Sequence, residues 1–276
     1  MRVPYPVRLV PTIAEWVWFT PPRPRSETMS RDEAELFGFQ PITVNVNGRP
    51  LPGYGYGEGP LIILAHGWGG TAGQMKHLAQ RLAAAGFKAV AVDAPGHGQD
   101  EQPTSDGFQM AAALEALAQQ VGPPAAVIAH SLGAMAAVLA SFDRLPQAVV
   151  FIAPILDLRE ALSRFCARAR LAPWTVQSLR RRVRRFVRER WHEVTIGAQA
   201  DIPGASILIM HDPEDPDAPF ATAVALAERR PDTHLVELAG LGHRRALKDP
   251  AAIDTVVAFV SSVLTGTPGV RPQVPR

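Results

Sequence analysis

The sequence predicts an α/β fold, a mostly parallel, twisted sheet flanked by helices. Three observations carry that reading. Short apolar runs bounded by Gly, Pro or polar clusters alternate with longer segments of helical period, the pattern of strands joined by crossover helices. The chain has 276 residues, 47% apolar and 20% charged, enough to bury one sizeable core without splitting into two domains. Ahead of the first apolar run, Ile42-Thr43-Val44-Asn45-Val46-Asn47-Gly48 alternates and then turns, which predicts an antiparallel hairpin at the start of the sheet.

After the hairpin, strands are predicted at 61–65, 89–92, 125–129, 148–153, 207–210 and 233–238, with helices at 73–85, 107–120, 132–142, 218–228 and 250–264. Residues 155–199 break the rhythm. No strand signal appears there and helical spacing dominates, so this block reads as a helical insertion after strand 6. Within it Leu179, Val183, Phe186, Val187 and Trp191 recur near helical period, while Arg181, Arg184, Arg185 and Arg188 lie on the other side, as in an amphipathic helix. The expected organisation is an N-terminal arm (1–40), a core (41–154 and 200–264), the helical insertion (155–199) and a flexible tail (265–276). The tail has three prolines, two glycines and nothing to bury.

Composition narrows the function classes. Between Arg159 and Arg190 eleven arginines face two glutamates, so this stretch carries +9 in a chain whose net charge is +2. The solvated face of an amphipathic helix accounts for such charge; attraction of anionic substrates or an anionic surface is the functional alternative. Aromatic residues make up only 7% and no nucleic-acid-binding module is visible, which argues against nucleic acid. A lone cysteine, Cys166, allows no intramolecular disulfide, so a reducing, cytoplasmic setting is expected. In the first twenty residues Pro4, Pro6, Pro11 and Glu15 interrupt the apolar side chains. No transmembrane segment is expected, since a spanning helix needs roughly 20 apolar residues. The arm reads as packed on the domain surface, with a membrane or partner contact as the alternative. There is no H-E-x-x-H, no Cys cluster and no dinucleotide glycine fingerprint, so neither metal nor organic cofactor is expected.

Two motifs carry chemistry. Ala129-His130-Ser131-Leu132-Gly133 follows a predicted strand and opens an alanine-rich helix, the context that gives a G-x-S-x-G pattern meaning. A sharp strand-to-helix turn lifts the serine hydroxyl above the sheet, and small residues two before and two after keep strand and helix from clashing. Here Ala129 stands where the pattern has glycine, an excess of one methyl group. Ser131 as a plain helix cap is the structural alternative. His66-Gly67-Trp68-Gly69-Gly70 directly follows the strand at 61–65. A Gly-rich loop there lets backbone N–H groups approach a developing oxyanion; Trp68 N–H and Leu132 N–H are the two candidate donors. A simple turn with a buried tryptophan is the alternative.

Together these motifs resemble the α/β-hydrolase family in its serine esterase and lipase-like branch. Val92-Asp93-Ala94-Pro95-Gly96-His97-Gly98 is similar to the loop after that family's fourth strand, and the resemblance covers about residues 40–265. It implies the α/β-hydrolase fold, with the insertion after strand 6 as a cap, an acid after the seventh strand and a histidine after the eighth. His211-Asp212-Pro213-Glu214-Asp215-Pro216-Asp217-Ala218-Pro219 is similar to the family's H-G-x-x-D-x-x-x-P loop, with Asp212 in place of the glycine. By that match Asp215 is the acid; its neighbours Asp212, Glu214 and Asp217 stay open as substitutes, and so does Asp157 just past strand 6. His243, in Gly240-Leu241-Gly242-His243, is the general base. The order Ser, Asp, His is the one this fold uses.

The resemblance implies that His243 takes the Ser131 proton, Ser131 attacks a carbonyl, Trp68 and Leu132 hold the oxyanion, and water releases an acyl-enzyme. A serine nucleophile argues against the dehalogenases and epoxide hydrolases of this fold, which attack through aspartate. The expected activity is hydrolysis of a carboxylic ester, thioesters included, on a small-molecule acyl substrate of apolar or anionic character. Acyltransferase, amidase, lactonase and C–C hydrolase chemistry on the same triad are alternatives, and a non-catalytic binding protein is a remote one. Trp174, Trp191, Phe165, Phe186, Leu171 and Leu179 are candidates for an apolar pocket, or for holding the insertion to the core.

Overall fold

The computed structural model describes residues 11–23, 28–195, 200, 202–230 and 232–266. Part of the expected arm (1–10 and 24–27), four residues of the insertion (196–199) and most of the tail (267–276) lie outside the described residues. Eight strands form one sheet: β1 (Gln40–Val46), β2 (Arg49–Tyr56), β3 (Leu61–Ala65), β4 (Lys88–Val92), β5 (Ala126–His130), β6 (Ala148–Ile152), β7 (Ser206–His211) and β8 (His234–Glu237). Their order is β1-β2-β4-β3-β5-β6-β7-β8. β1 pairs antiparallel with β2 and β2 with β4; every other pairing is parallel. The hairpin closes through Asn47 and Gly48, both at positive φ, as a two-residue turn between right-twisted strands requires.

The helices are α1 (Pro11–Phe19), α2 (Arg31–Leu36), α3 (Lys76–Ala84), α4 (Gly107–Val121), α5 (Leu132–Leu139), α6 (Leu158–Arg168), α7 (Pro173–Val187), α8 (Phe220–Arg229) and α9 (Pro250–Thr265). Helices α3, α4, α5, α8 and α9 fall where spacing predicts them, with two local differences, and α1 and α2 lie in the stretch expected only as an arm. The segment expected to begin a helix at 73 opens as a 3₁₀ turn over Ala72–Met75, where the Ala72 N–H is held by the Asp93 carboxylate at 2.6 Å. The helix expected to reach 142 stops at Leu139 because Ala140 is extended and Glu115 caps the Ser141 N–H at 2.8 Å.

The central strands are buried on both faces, and their period of two sorts them into two cores. Ile62, Leu64, Ile128, Val150 and Met210 face one layer, closed by α3 and α9. Ile63, Val127, Phe151, Ile207 and Ile209 face the other, closed by α4, α5 and α8. A third cluster sits beyond the strand ends: Leu162 and Cys166 of α6, Leu179, Val183 and Val187 of α7 and Ala14 of α1 gather around Met135 of α5. The residues picked out by helical spacing at 179, 183 and 187 are buried. Phe186 departs from that stripe and is half exposed, stacking on Phe19 with ring centroids 4.7 Å apart. Asp157 caps α6 by accepting the Arg159 N–H at 2.8 Å and pairs with the Arg159 guanidinium. Among the described residues no helix is long and apolar enough to cross a membrane.

Ile128 is fully buried in the strand that leads to Ser131. Ile128→Ala is expected to cost about 2–5 kcal/mol through lost burial and a residual cavity. Urea unfolding should show a lower midpoint at unchanged slope; an unchanged midpoint would contradict this packing.

Candidate active site

Ser131 joins β5 to α5 with φ 54° and ψ −123°, a region costly for a residue with a Cβ, on the order of 1–3 kcal/mol. The surroundings hold it there. Its N–H donates to the Ile152 carbonyl at 3.0 Å, and its own carbonyl accepts from Ile155 and Ala134. Small neighbours make the turn possible. A Cβ on Gly133 would lie 2.5 Å from the His66 carbonyl oxygen, and one on Gly67 would lie 2.7 Å from Ser131 Cβ. Ala129 is fully buried, and its methyl group is accommodated where the sequence pattern has glycine.

His243 lies in the loop after β8, and Asp215 in the loop after β7. His243 Nε2 is 2.8 Å from Ser131 Oγ, and His243 Nδ1 is 2.7 Å from Asp215 Oδ2. The other carboxylate oxygen of Asp215 accepts the N–H groups of Asp217 (2.7 Å) and Ala218 (3.1 Å). His211 Nε2 lies 3.3 Å from Oδ2, an ion-pair distance if that ring is protonated. Burial pushes the Asp215 carboxyl up, but the imidazoles of His211 and His243 and the Asp217 N–H outweigh it and hold the group well below the usual carboxylate range. Asp215 is therefore an anion aimed at His243.

The competing acids occupy other places. Asp212 is buried, and its two oxygens accept the N–H groups of Glu214 and Gly242. It ties the acid loop to the histidine loop, a role the sequence does not signal because its partner is 30 residues away. Asp217 pairs with Arg168 of α6. Ligand atoms of Asp215, Asp217 and His243 fall within 4.8 Å of one another. As a metal set they fit poorly, since both nitrogens of His243 and the Asp217 carboxylate already have protein partners.

Three buried histidines stitch the loops. His66 donates from Nδ1 to the Gly67 carbonyl at 2.8 Å and accepts the Ala94 N–H on Nε2 at 2.9 Å, so its ring is neutral. His97 packs between His66 and Trp68, with centroids 5.1 and 5.2 Å away. His130 donates from Nε2 to the backbone carbonyl of His243 at 2.8 Å. Burial drives all three imidazoles down, His66 to about 4 and His97 and His130 to about 3. Apart from the bond between the neighbours His66 and Gly67, these links join residues at least 28 apart in sequence, and none has a sequence signature.

Ser131, His243, Trp68 and Leu132 border a cavity of about 330 Å³ with a mainly apolar wall. Its far side comes from α1 (Val17, Trp18, Phe19) and α6 and α7 (Phe165, Phe186). The candidate pocket residues therefore divide. Phe165 and Phe186 face the cavity; Leu171 and Leu179 are buried in the third cluster; Trp191 packs against that cluster under the Arg184 guanidinium; Trp174 is exposed. The contribution of α1 has no signal in the sequence, because nothing local says which surface an arm will cover.

The Hydrolase_4 family, described as serine aminopeptidase, S33, matches the chain over residues 59–243, a span that includes Ser131, Asp215 and His243. The chain belongs to this family. It is an α/β-hydrolase by family and fold. A pimeloyl-[acyl-carrier protein] methyl ester esterase of Neisseria meningitidis serogroup C is 38% identical over 76 residues, 28% of this chain and 28% of that one. The chain thus spans under a third of the length of the curated relatives it matches. An esterase of Pyrococcus furiosus superposes with a TM-score of 0.66 at 16% identity, covering 89% of this chain and 97% of the other. A thioesterase domain from the curacin biosynthetic pathway gives 0.54 at 17% identity, covering 82% and 99%. Likeness at such identities speaks for the fold alone.

Between about pH 6.5 and pH 3–4 the unfolded chain holds protons on residues 66, 97 and 130 that the folded chain lacks, so stability falls as pH falls through that window. Asp93, raised by burial to about 6 from 3.8, works the other way between those values, one group against three. The thermal midpoint should drop by several degrees from pH 7 to pH 5; a flat or rising midpoint would contradict the neutral buried histidines.

Proposed function

We propose that this hydrolase cleaves carboxylic esters, thioesters included, through an acyl-enzyme on Ser131. The observation that carries the reading is the unbroken chain of contacts from Ser131 Oγ through His243 to Asp215, at 2.8 and 2.7 Å, beside an apolar cavity. His243 removes the Ser131 proton as Oγ attacks the acyl carbonyl, and returns it to the leaving alcohol or thiol. Asp215 fixes the tautomer with the proton on Nδ1 and stabilises the imidazolium that forms. His243 then takes a proton from water as the water oxygen attacks the acyl carbon, and returns that proton to Ser131 Oγ as the acyl–Oγ bond breaks and the acid leaves.

The N–H of Leu132, first residue of α5 and so without an intrahelical acceptor, and the N–H of Trp68 are the proposed oxyanion donors. Trp68 occupies the second position of a turn closed by Gly70 N–H to the Gly67 carbonyl at 2.9 Å. Gly69 follows it at φ 70°, and His97 backs its ring. Helices α6 and α7 act in this reading as a cap. Arg164 and Arg168 of α6 donate to the Pro216 carbonyl at 3.1 and 3.2 Å, next to Asp215, so the cap is tied to the acid loop. An acyl chain enters the cavity between cap and core. The methyl ester named for the relative of Neisseria meningitidis fits this chemistry, and a polar carrier or headgroup would remain outside.

Kinetics on p-nitrophenyl esters of increasing acyl length test the assignment. Ser131→Ala should remove turnover, and Asp215→Asn should lower kcat by about 10⁴-fold because the imidazole loses its anchored tautomer. Asp212→Asn should keep most turnover yet lose about 1–3 kcal/mol of stability, since an amide cannot accept both N–H groups. Equal losses of turnover at the two positions would overturn the choice of acid. Met135→Trp, which fills the cavity from α5, should shift preference to shorter chains.

A further inference from the structure

Helix α1 has an unusual surface for a piece of a globular domain. Its only charged side chain, Glu15, is spent on Arg182 of α7 at 2.6 Å. Ala14 is fully buried, and Val17, Trp18 and Phe19 turn toward the cavity. On the outer side Trp16 is 58% exposed and Ile13 45%. A helix with so few polar side chains ordinarily covers its outer side as well, in protein or in lipid.

The surface beside it is cationic. Helix α7 runs alongside α1, joined through Arg182 to Glu15 and through Phe186 to Phe19. At about 100° per residue, Trp174, Arg181 and Arg185 project opposite the buried stripe of Leu179, Val183 and Val187, and all three are exposed. Arg181 and Arg185 form no ion pair among the described residues, in a stretch that carries +9. Tryptophan tips and an isoleucine therefore share one outward face with unneutralised guanidinium groups. That combination suits a lipid headgroup layer: indole rings favour the water–hydrocarbon boundary, and arginines bury their stems while the heads meet phosphate.

We propose that the outer face of α1 and α7 docks on an anionic lipid surface, with Ile13 and Trp16 entering the headgroup–acyl boundary and Arg181 and Arg185 meeting lipid phosphates. The contact is peripheral. Because α1 walls the cavity on its inner side, docking sets the cavity beside the bilayer, where a poorly soluble acyl substrate partitions. The proposal holds whichever acyl group the cavity takes.

Sedimentation with sucrose-loaded vesicles tests it, comparing phosphatidylcholine alone with phosphatidylcholine containing phosphatidylglycerol. The wild type should bind the phosphatidylglycerol vesicles at least about ten-fold more tightly, and added salt should weaken that binding. The pair Arg181→Glu/Arg185→Glu should lose about ten-fold on those vesicles. The pair Ile13→Ser/Trp16→Ser should lose as much, with an unchanged salt dependence and an unchanged thermal midpoint in solution. No vesicle binding by the wild type, or variants that bind as it does, would overturn the proposal. So would the absence of vesicle binding combined with an arginine-dependent complex with an acidic acyl carrier protein, which would put a protein on this face instead.

Discussion

The strained backbone at Ser131 is the constraint around which the rest is arranged. A side chain at φ 54° survives only where the neighbouring structure over-determines it. Here β5 and β6 supply the backbone partner from Ile152, while Gly133 and Gly67 leave room for the loop after β3 to pass within van der Waals contact. The reward is position: the hydroxyl stands clear of the sheet, at the head of a helix, where three strand-end loops converge. Trp68, Asp215 and His243 reach Ser131 from those loops, and Leu132 follows it directly in α5.

Convergence demands that the loops hold one another in place. Ala94 N–H to His66 Nε2 and Ala72 N–H to Asp93 join the loops after β3 and β4. Gly242 N–H to Asp212 joins the loops after β7 and β8, and His130 reaches across to the His243 carbonyl. These bonds lie in a buried, weakly screened setting, where an unmet partner is costly. Neutral histidines serve well here, since one ring can donate and accept at once.

The sequence makes the local parts of this arrangement legible and leaves the long-range parts dark. The turn at Ser131 and Leu132 and the glycine-rich loop at Trp68 are readable because each packs the size limits of a strand end and a tight turn into five successive positions. The alternation of apolar runs reveals the sheet because central strands must be buried on both faces. Asp215 needed the family pattern, for four acidic residues crowd residues 212–217 and only geometry separates the one facing His243 from the one bridging loops. His130, His66 and the inner face of α1 have no local signal. Their partners lie 113, 28 and more than 80 residues away, joined only by folding.

Helices α6 and α7 complete the wall of the cavity beside Ser131. Their apolar stripe packs on Met135 and closes the cavity, and their arginines tie α6 to the Asp215 loop through Pro216. Intact-mass and peptide-mapped labelling with a fluorophosphonate tests whether Ser131 is an activated nucleophile. One adduct is expected, on Ser131, lost in Ser131→Ala and slowed by orders of magnitude in Asp215→Asn. An unlabelled wild-type enzyme, or an adduct on another residue, would contradict an activated serine at the β5–α5 turn.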